Sequence, residues 1–444
     1  MRFVPLPEAL RARAAELARR PMPAILESAA PSRGGELSLL AAEPTGALVT
    51  RGRRVLELRD GTWAETTDDP LAALGRWLDS AAPGRDEAGA PRWVVAGCLG
   101  YDLARHVERL PSLATDDQPM PELWLARYET ALLFDHRRGR LTRIGGQSAP
   151  PAADMRAIDA CPLTPMDRLE LPARGFDRCG YLAAVERVRA AIRDGEVYEV
   201  NLSQRFAAPW DGDPWRLYER LRAESPAPFA AFLRLGGRAI VSSSPEEFLR
   251  VDGRRVVTRP IKGTRPRSAD PREDRSAARE LLASRKDDAE LVMIVDLMRN
   301  DLGRVAEPGS VRVLRRRGLE RHPTVWHLFA TVAARLRADV GPEALLRATF
   351  PAGSVTGAPK VRAMELIERL EPTRRGAFSG AIVMLTSDGR LRSSVAIRTM
   401  QVSPGVVSFQ AGGAVVWDSD PEAEYRETLV KAAAMARAAG IGIG

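Results

Sequence analysis

Beyond residue 175 the sequence sets helix-like and strand-like segments side by side without the regular strand-helix-strand beat of a doubly wound parallel sheet. That irregular order limits the fold more than any other feature. Helices are predicted over Leu6–Arg20, Tyr181–Asp194, Pro214–Ala223, Arg275–Leu302, Pro342–Ala348, Pro359–Leu370 and Pro421–Ala439. Strands are predicted over Trp93–Leu99, Ala131–Phe134, Ala239–Ser243, Arg254–Arg259, Ala381–Thr386, Ser394–Gln401 and Val406–Gln410. The mixture predicts an α+β, sandwich-like fold. Gln147–Gly175, with five prolines among alanines, carries neither period and reads as a linker or surface excursion. It separates an N-terminal subdomain (1–146) from a catalytic domain (176–444), and no internal repeat is visible.

With 444 residues, 45% of them hydrophobic, the chain can build one large core or two intertwined ones. No apolar run approaches the roughly 18 residues that cross a bilayer. The arginine-bearing start lacks a signal segment, so a cytosolic protein is expected, with no membrane contact. Three cysteines without CxxC spacing and four histidines argue against a disulfide framework and a multi-histidine metal site. Any metal must then be held by carboxylates. The net charge of +8 admits a second reading, a non-catalytic basic protein that binds nucleic acid. Against it, acidic residues are interspersed and the arginine runs are short, without interleaved aromatics, so no nucleic-acid partner is expected.

Of 66 basic residues only Lys262, Lys286, Lys360 and Lys431 are lysine. Arginine stays protonated, whereas a desolvated lysine can lose its proton and attack. Lys262 lies in Pro260-Ile261-Lys262-Gly263-Thr264, where the glycine permits a tight turn, and burial among apolar neighbours favours its uncharged form. Glu246 follows a predicted strand in Ser244-Pro245-Glu246. Two carboxylate pairs at i, i+3, Asp287 with Glu290 and Glu424 with Glu427, would give a hard cation four oxygen-bearing side chains; magnesium fits best, although such pairs also occur on solvated helices. Lys431 shares the second helical face. Phe350–Lys360 is a glycine-bearing loop opening a helix, a place for a carboxylate, and its GxxxGxxK spacing is not that of a phosphate loop. Arg398, at the end of a predicted strand, offers a bidentate clamp for a carboxylate. Gly412-Gly413 allows another close backbone approach.

In this order the segments GEVYEVNLSQRF (from Gly195), SSSPEEF (from Ser242), PIKGTRPR (from Pro260), Lys286–Glu290 with DLMRNDL, VWHL (from Val325), FPAGSVTGAPK, IRT and AGGAVVWDSDPEAEYRET (from Ala411) resemble the chorismate-utilising family. That family includes anthranilate, aminodeoxychorismate, isochorismate and salicylate synthases. The resemblance implies large antiparallel sheets packed as a sandwich with helices outside. Lys262 stands where anthranilate synthases have alanine (PIAGT) and aminodeoxychorismate synthases have lysine (PIKGT), and Asn201 points the same way. It therefore implies amination of chorismate at C4, a step towards 4-aminobenzoate and folate. Lys262 would attack C2 and Glu246 would help expel the C4 hydroxyl.

By the same likeness Glu290 and Glu427 would hold Mg2+, with Asp287 and Glu424 in support, and Thr264, His327, Thr356, Arg398, Gly412, Gly413 and Lys431 would line the substrate site. Ile25-Leu26-Glu27-Ser28 weakly resembles the family's tryptophan-pocket segment, which makes Ser28 a candidate there. Glu199, Phe378, Val383 and Ala414 depart from the usual glutamine, tyrosine or tryptophan, glycine and glycine. No GxCxG glutaminase turn is present and Cys98 lacks a triad, so ammonia would come from solution or from a glutaminase subunit. The nearest alternative is an anthranilate synthase component I, aminating C2 with release of pyruvate. An isochorismate or salicylate synthase would need a lysine base near Glu199, and the local sequence provides none.

Overall fold

A computed structural model of the chain describes residues 3–31, 35–118, 120–145, 159–164, 167, 169–170, 175–323 and 325–443. Among these residues two antiparallel sheets face each other. The ten-stranded sheet runs in the order 357–358, 199–210, 405–415, 399–403, 238–244, 229–235, 24–27, 37–41, 131–135, 140–144. The twelve-stranded sheet runs 261–266, 325–335, 255–259, 247–252, 391–395, 381–386, 94–99, 123–128, 46–51, 54–59, 62–67, with 312–321 also paired to 325–335. The expected α+β sandwich is what forms.

Alternation explains the layers. In the strand Gly46–Arg51, Ala47 and Val49 point into the inter-sheet core with Val94, Ala96, Leu233 and Ile382, whereas Leu48 points the other way, onto Leu71, Leu74 and Trp77 of the helix Pro70–Asp79. The helix Arg285–Gly303 covers the same outer face through Leu291, Ile294 and Met298. Helices Pro214–Glu224 and Pro421–Ala439 cover the outer face of the ten-stranded sheet, against Phe232, Val241 and Phe409. Strands such as Val94–Leu99 and Arg238–Ser244 are consequently buried along their whole length.

Both sheets mix early and late sequence. Ala24–Glu27 pairs with Phe229–Leu235, and Val94–Leu99 with Ala381–Thr386. Most of 147–175 lies outside the described residues. Its described part is no surface excursion, since Cys161 and Leu163 are buried in the inter-sheet core and the Asp159 carboxylate accepts from the Met22 amide at 3.3 Å. No described helix is long and apolar enough to cross a membrane.

Two predicted elements divide. Arg275–Leu302 is two helices, Pro271–Ala283 and Arg285–Gly303, broken at Ser284, whose extended backbone and side chain cap the second by accepting from the Asp287 amide. Ser394–Gln401 is two strands in different sheets, Leu391–Val395 and Thr399–Ser403, so Arg398 lies in a crossover and not at a strand end.

Neighbouring strands of the twelve-stranded sheet leave no room at Gly97, where a Cβ would lie 2.0 Å from the Trp124 carbonyl oxygen and 2.9 Å from the Leu125 Cα. Both obstacles are backbone and cannot rotate away. Gly97→Ala is expected to cost about 1–3 kcal/mol, as overpacking does, seen as a lower urea midpoint at unchanged m-value.

Candidate active site

The chain changes sheets at two adjacent places, and the site begins there. Arg238–Ser244 belongs to the ten-stranded sheet and Glu247–Asp252 to the other, with Pro245 and Glu246 as the bridge. The return crossing, Ala396–Arg398, runs beside it. The Ser244 hydroxyl donates to the Val395 carbonyl at 2.6 Å, and the Val395 amide donates to the Glu246 carbonyl at 3.1 Å. Arg398 takes a left-handed φ of 48° to make the turn, strain that an L-residue accepts only where surroundings dictate it. Glu246 is 4% exposed, and its carboxylate accepts from the Ser354 hydroxyl at 2.5 Å. Burial pushes its pKa up to about 7, against the downward pull of the Ser354 hydrogen bond and of Lys262.

Lys262 enters from the edge strand Ile261–Pro266, where a register shift against Val325–Arg335 falls at Gly263, φ 76°. Its Nζ donates to Glu199 Oε1 at 2.6 Å across the gap between the sheets; Glu199 is fully buried and its Oε2 has no hydrogen-bond partner among the described residues. Burial alone would depress the lysine. Glu199, Glu290 and Glu246 outweigh it and leave the pKa raised, so the resting amine is charged, contrary to the expectation of a neutral one. The lysine that local sequence did not supply near Glu199 is supplied in space by Lys262. Next to it, His327 Nδ1 and the Thr264 hydroxyl are 2.9 Å apart. Burial, with the charge of Arg398, holds His327 well below its usual value, which keeps the imidazole neutral.

Asp287 and Glu290 descend from the 285–303 helix, Glu424 and Glu427 from the 421–439 helix. Burial raises Glu290 to about 7. Lys286 Nζ stands between the helices, 3.4 Å from Glu424 and 4.0 Å from Glu290, while Lys431 pairs with Glu427 at 2.6 Å and lowers it. Lys431 also donates to the Gly412 carbonyl at 2.8 Å. Among the described residues no three Asp, Glu, His or Cys are grouped closely enough to hold an ion. The donor set of four carboxylates suits a hard cation, and the half-exposed Lys286 ammonium lies among them.

Asn201, Glu246, Lys262, Thr264, Asp287, Glu290, His327, Arg398, Gly412, Glu424, Glu427 and Lys431 line one cavity of about 870 Å3. Gly413 lies beneath it, where a Cβ would meet Glu424 Oε2 at 3.1 Å and Glu427 Oε1 at 3.5 Å. Thr356 is not brought in: it is fully buried and its hydroxyl donates to the Ala352 and Gly353 carbonyls. Lys360 pins the same loop through Asp301 and the Thr349 and Pro351 carbonyls. Ser28 lies elsewhere, its hydroxyl donating to the Ala30 and Gly35 carbonyls. Of the departures, Phe378 and Ala414 line the cavity, and Val383 packs in the core beneath the helices. Sequence reasoning quoted the loop containing Ser354 without giving it a role. Its signal was a hydroxyl in a turn, too common to single out.

The description of chorismate binding enzymes matches residues 39–437. The chain is 42% identical over 396 residues to the aminodeoxychorismate synthase component 1 of Salmonella typhimurium, covering 88% of this chain and 87% of that one. It is 40% identical over 437 residues to the anthranilate synthase component 1 of Thermus thermophilus, covering 95% and 92%. Among solved structures, anthranilate synthase component I from Streptococcus pneumoniae superposes with a TM-score of 0.76 at 29% identity, covering 91% and 93%.

The raised Glu246 has a thermodynamic signature. The folded protein holds a proton that the unfolded chain releases from 4.5 upward, so its contribution lowers stability as pH rises from 4.5 to about 7. Glu246→Gln is expected to flatten that part of the fall, measured by urea unfolding at a series of pH values.

Proposed function

The chain belongs to the family of chorismate-binding enzymes, and within it we propose that it aminates chorismate at C4 to give 4-amino-4-deoxychorismate, working in the cytosol with a glutaminase subunit. What supports C4 over C2 is a single placement: Lys262, buried in the cavity that also holds Glu246, at the position where the family resemblance implies an alanine in C2-aminating enzymes. The relatives' designation "component 1" supports a partner, which would deliver ammonia unprotonated. The reading places this step ahead of 4-aminobenzoate and folate.

The carboxylates of chorismate would be drawn to Arg398 on the crossover and Lys431 on the last helix, both of which line the cavity. Glu290 and Glu427 would hold Mg2+ with Asp287 and Glu424 in support; a bound hard cation neutralises a substrate carboxylate. Lys262 starts charged. Its proton passes to the buried Glu199 carboxylate 2.6 Å away, and the freed amine attacks C2. Both conjugated ring double bonds shift, C1=C2 to C1=C6 and C5=C6 to C4=C5, and the C4–O bond breaks. Glu246 gives its proton so that the hydroxyl leaves as water. Ammonia then attacks C4, both double bonds shift back, and the C2–N bond breaks with its electron pair returning to Lys262. Glu199 returns the lysine's proton, and solvent reprotonates Glu246.

Product identification from chorismate, magnesium and ammonium, with and without a lyase that makes 4-aminobenzoate, separates C4 from C2 amination; anthranilate and pyruvate as products would overturn the reading. Glu246→Gln should lower turnover by about 100-fold or more with chorismate affinity nearly unchanged. Lys262→Arg keeps the charge, loses the nucleophile and should abolish C4 amination. Lys262→Ala opens space near C2 and should permit slow anthranilate formation. Enzyme quenched with chorismate but without ammonia should carry an adduct on the Lys262 peptide by mass spectrometry. Full C4 amination by Lys262→Ala, with no adduct on the unmodified enzyme, would refute covalent catalysis.

The metal has its own test. Glu290→Gln and Glu427→Gln should each raise the magnesium concentration needed for half-maximal rate, by about 10-fold or more for a lost anionic ligand. Undiminished turnover of the unmodified enzyme in EDTA would remove the metal from the mechanism.

A further inference from the structure

Arg375 lies outside every motif that suggested the function, yet its side chain is 1% exposed and all its N–H groups are engaged. Nε donates to Glu371 Oε2 at 2.9 Å. Nη1 donates to the Val355 carbonyl at 2.8 Å and the Ser379 hydroxyl at 3.3 Å. Nη2 donates to the Asn201 carbonyl and to Glu371 Oε1, each at 2.6 Å. Tyr101 and Phe378 pack on the guanidinium at 4.7 and 5.7 Å. Glu371 Oε1 also accepts from the amide and hydroxyl of Ser203.

The two carbonyls are the informative partners. Asn201 belongs to the strand Glu199–Trp210 of one sheet, and Val355 to the loop that carries Ser354. From Asn201, Nδ2 donates to the Ser354 carbonyl at 3.2 Å and the backbone amide donates to the Thr356 carbonyl at 2.9 Å. Ser354, held on both sides in this way, donates its hydroxyl to Glu246. A buried ion pair adds little net stability compared with well-packed apolar groups of the same volume. What it adds is direction, since a planar fork fixes several acceptors at once and an ammonium does not.

We infer that Arg375 is a positioning residue of the reaction: by clamping the Asn201 and Val355 carbonyls it aims the Ser354 hydroxyl at Glu246 and holds that acid in its working orientation. The inference rests on the reading of Glu246 as general acid. The groups that face Glu246 are Ser354, the Ile261 amide and the charged Lys262, itself opposite Glu199 and Glu290. Those that face Arg375 are Glu371, Asp102 and Tyr101.

The test is Arg375→Lys, which keeps the charge and loses the fork, with turnover of chorismate followed across pH. A hydrogen bond from Ser354 favours the ionised carboxyl, so releasing it raises the pH at which Glu246 loses its proton. An acid works while protonated, and the alkaline limb of kcat should therefore move to higher pH, by roughly half a unit to one unit. At neutral pH kcat should fall roughly 10-fold or more while KM for chorismate stays within about 2-fold, as expected for an interaction used in the transition state. Ser354→Ala should move the limb equally, and the double variant no further. A fall in kcat with an unmoved limb, or additive limb shifts in the double variant, would overturn the inference. If Arg375→Lys does not fold, Glu371→Gln, which leaves the arginine and removes its counter-charge, is held to the same limb shift. Full turnover by Glu246→Gln would fell the general-acid reading itself; an inactive Glu246→Gln beside an unmoved limb in Arg375→Lys would fell the positioning role alone.

Discussion

A strand covered on both faces holds an unpaired charge only at a cost, and this constraint organises the molecule. Burying a charged group without a partner costs several kcal/mol, while the sandwich covers the strands 94–99, 238–244 and 399–403 completely. Chemistry is therefore pushed to where strands end, shift register or leave one sheet for the other. Glu246 and Arg398 sit on the two crossings. Lys262 sits beside a bulge, and Glu199 and Asn201 lie at the start of the strand Glu199–Trp210 opposite. Four further carboxylates of the cavity come from the N-terminal halves of two helices, Asp287 and Glu290 on one and Glu424 and Glu427 on the other.

Within that cavity the electrostatics are those of a partly closed exchange. Lys262 and Glu199 form a neutral pair, and Glu246 and Glu290 are both raised to about 7 by burial. The Lys262 proton can thus pass to Glu199 and back within the site, whereas the proton that Glu246 gives up is restored from solvent. The same economy applies to the two helices, where Lys286 and Lys431 neutralise Glu424 and Glu427. A substrate bearing carboxylates must compete with these internal partners, which favours ligands whose own charges replace them.

Much of this was legible in the sequence because the signals are local. Proline at the first helical position fixed the starts at Pro214, Pro342 and Pro421 to the residue, with Asp213 and Asp420 as caps. The scarcity of lysine drew attention to Lys262, Lys286 and Lys431, all in the cavity, though Lys360 turned out to pin a loop. What stayed hidden depends on the third dimension. The charge on Lys262 was misjudged because Glu199 reaches it from the other sheet. Ser394–Gln401 reads as one alternating strand because its turn rests on Arg398, not on a glycine. Arg375 is one arginine among dozens, and nothing nearby in sequence distinguishes it.

The interleaving of early and late strands bears on how the chain is made. Val94–Leu99 has one neighbour, Leu123–Tyr128, close behind it, but its other edge waits for Ala381–Thr386, roughly 280 residues further on. At ~5–20 residues per second a ribosome takes on the order of 15 to 60 seconds to supply that partner. Throughout that interval the nascent chain carries an apolar strand with an open edge, the kind of surface that captures neighbouring chains. A protein built this way closes that edge only once Ala381–Thr386 has been made, and its yield in a cell depends on what shields the edge in the meantime.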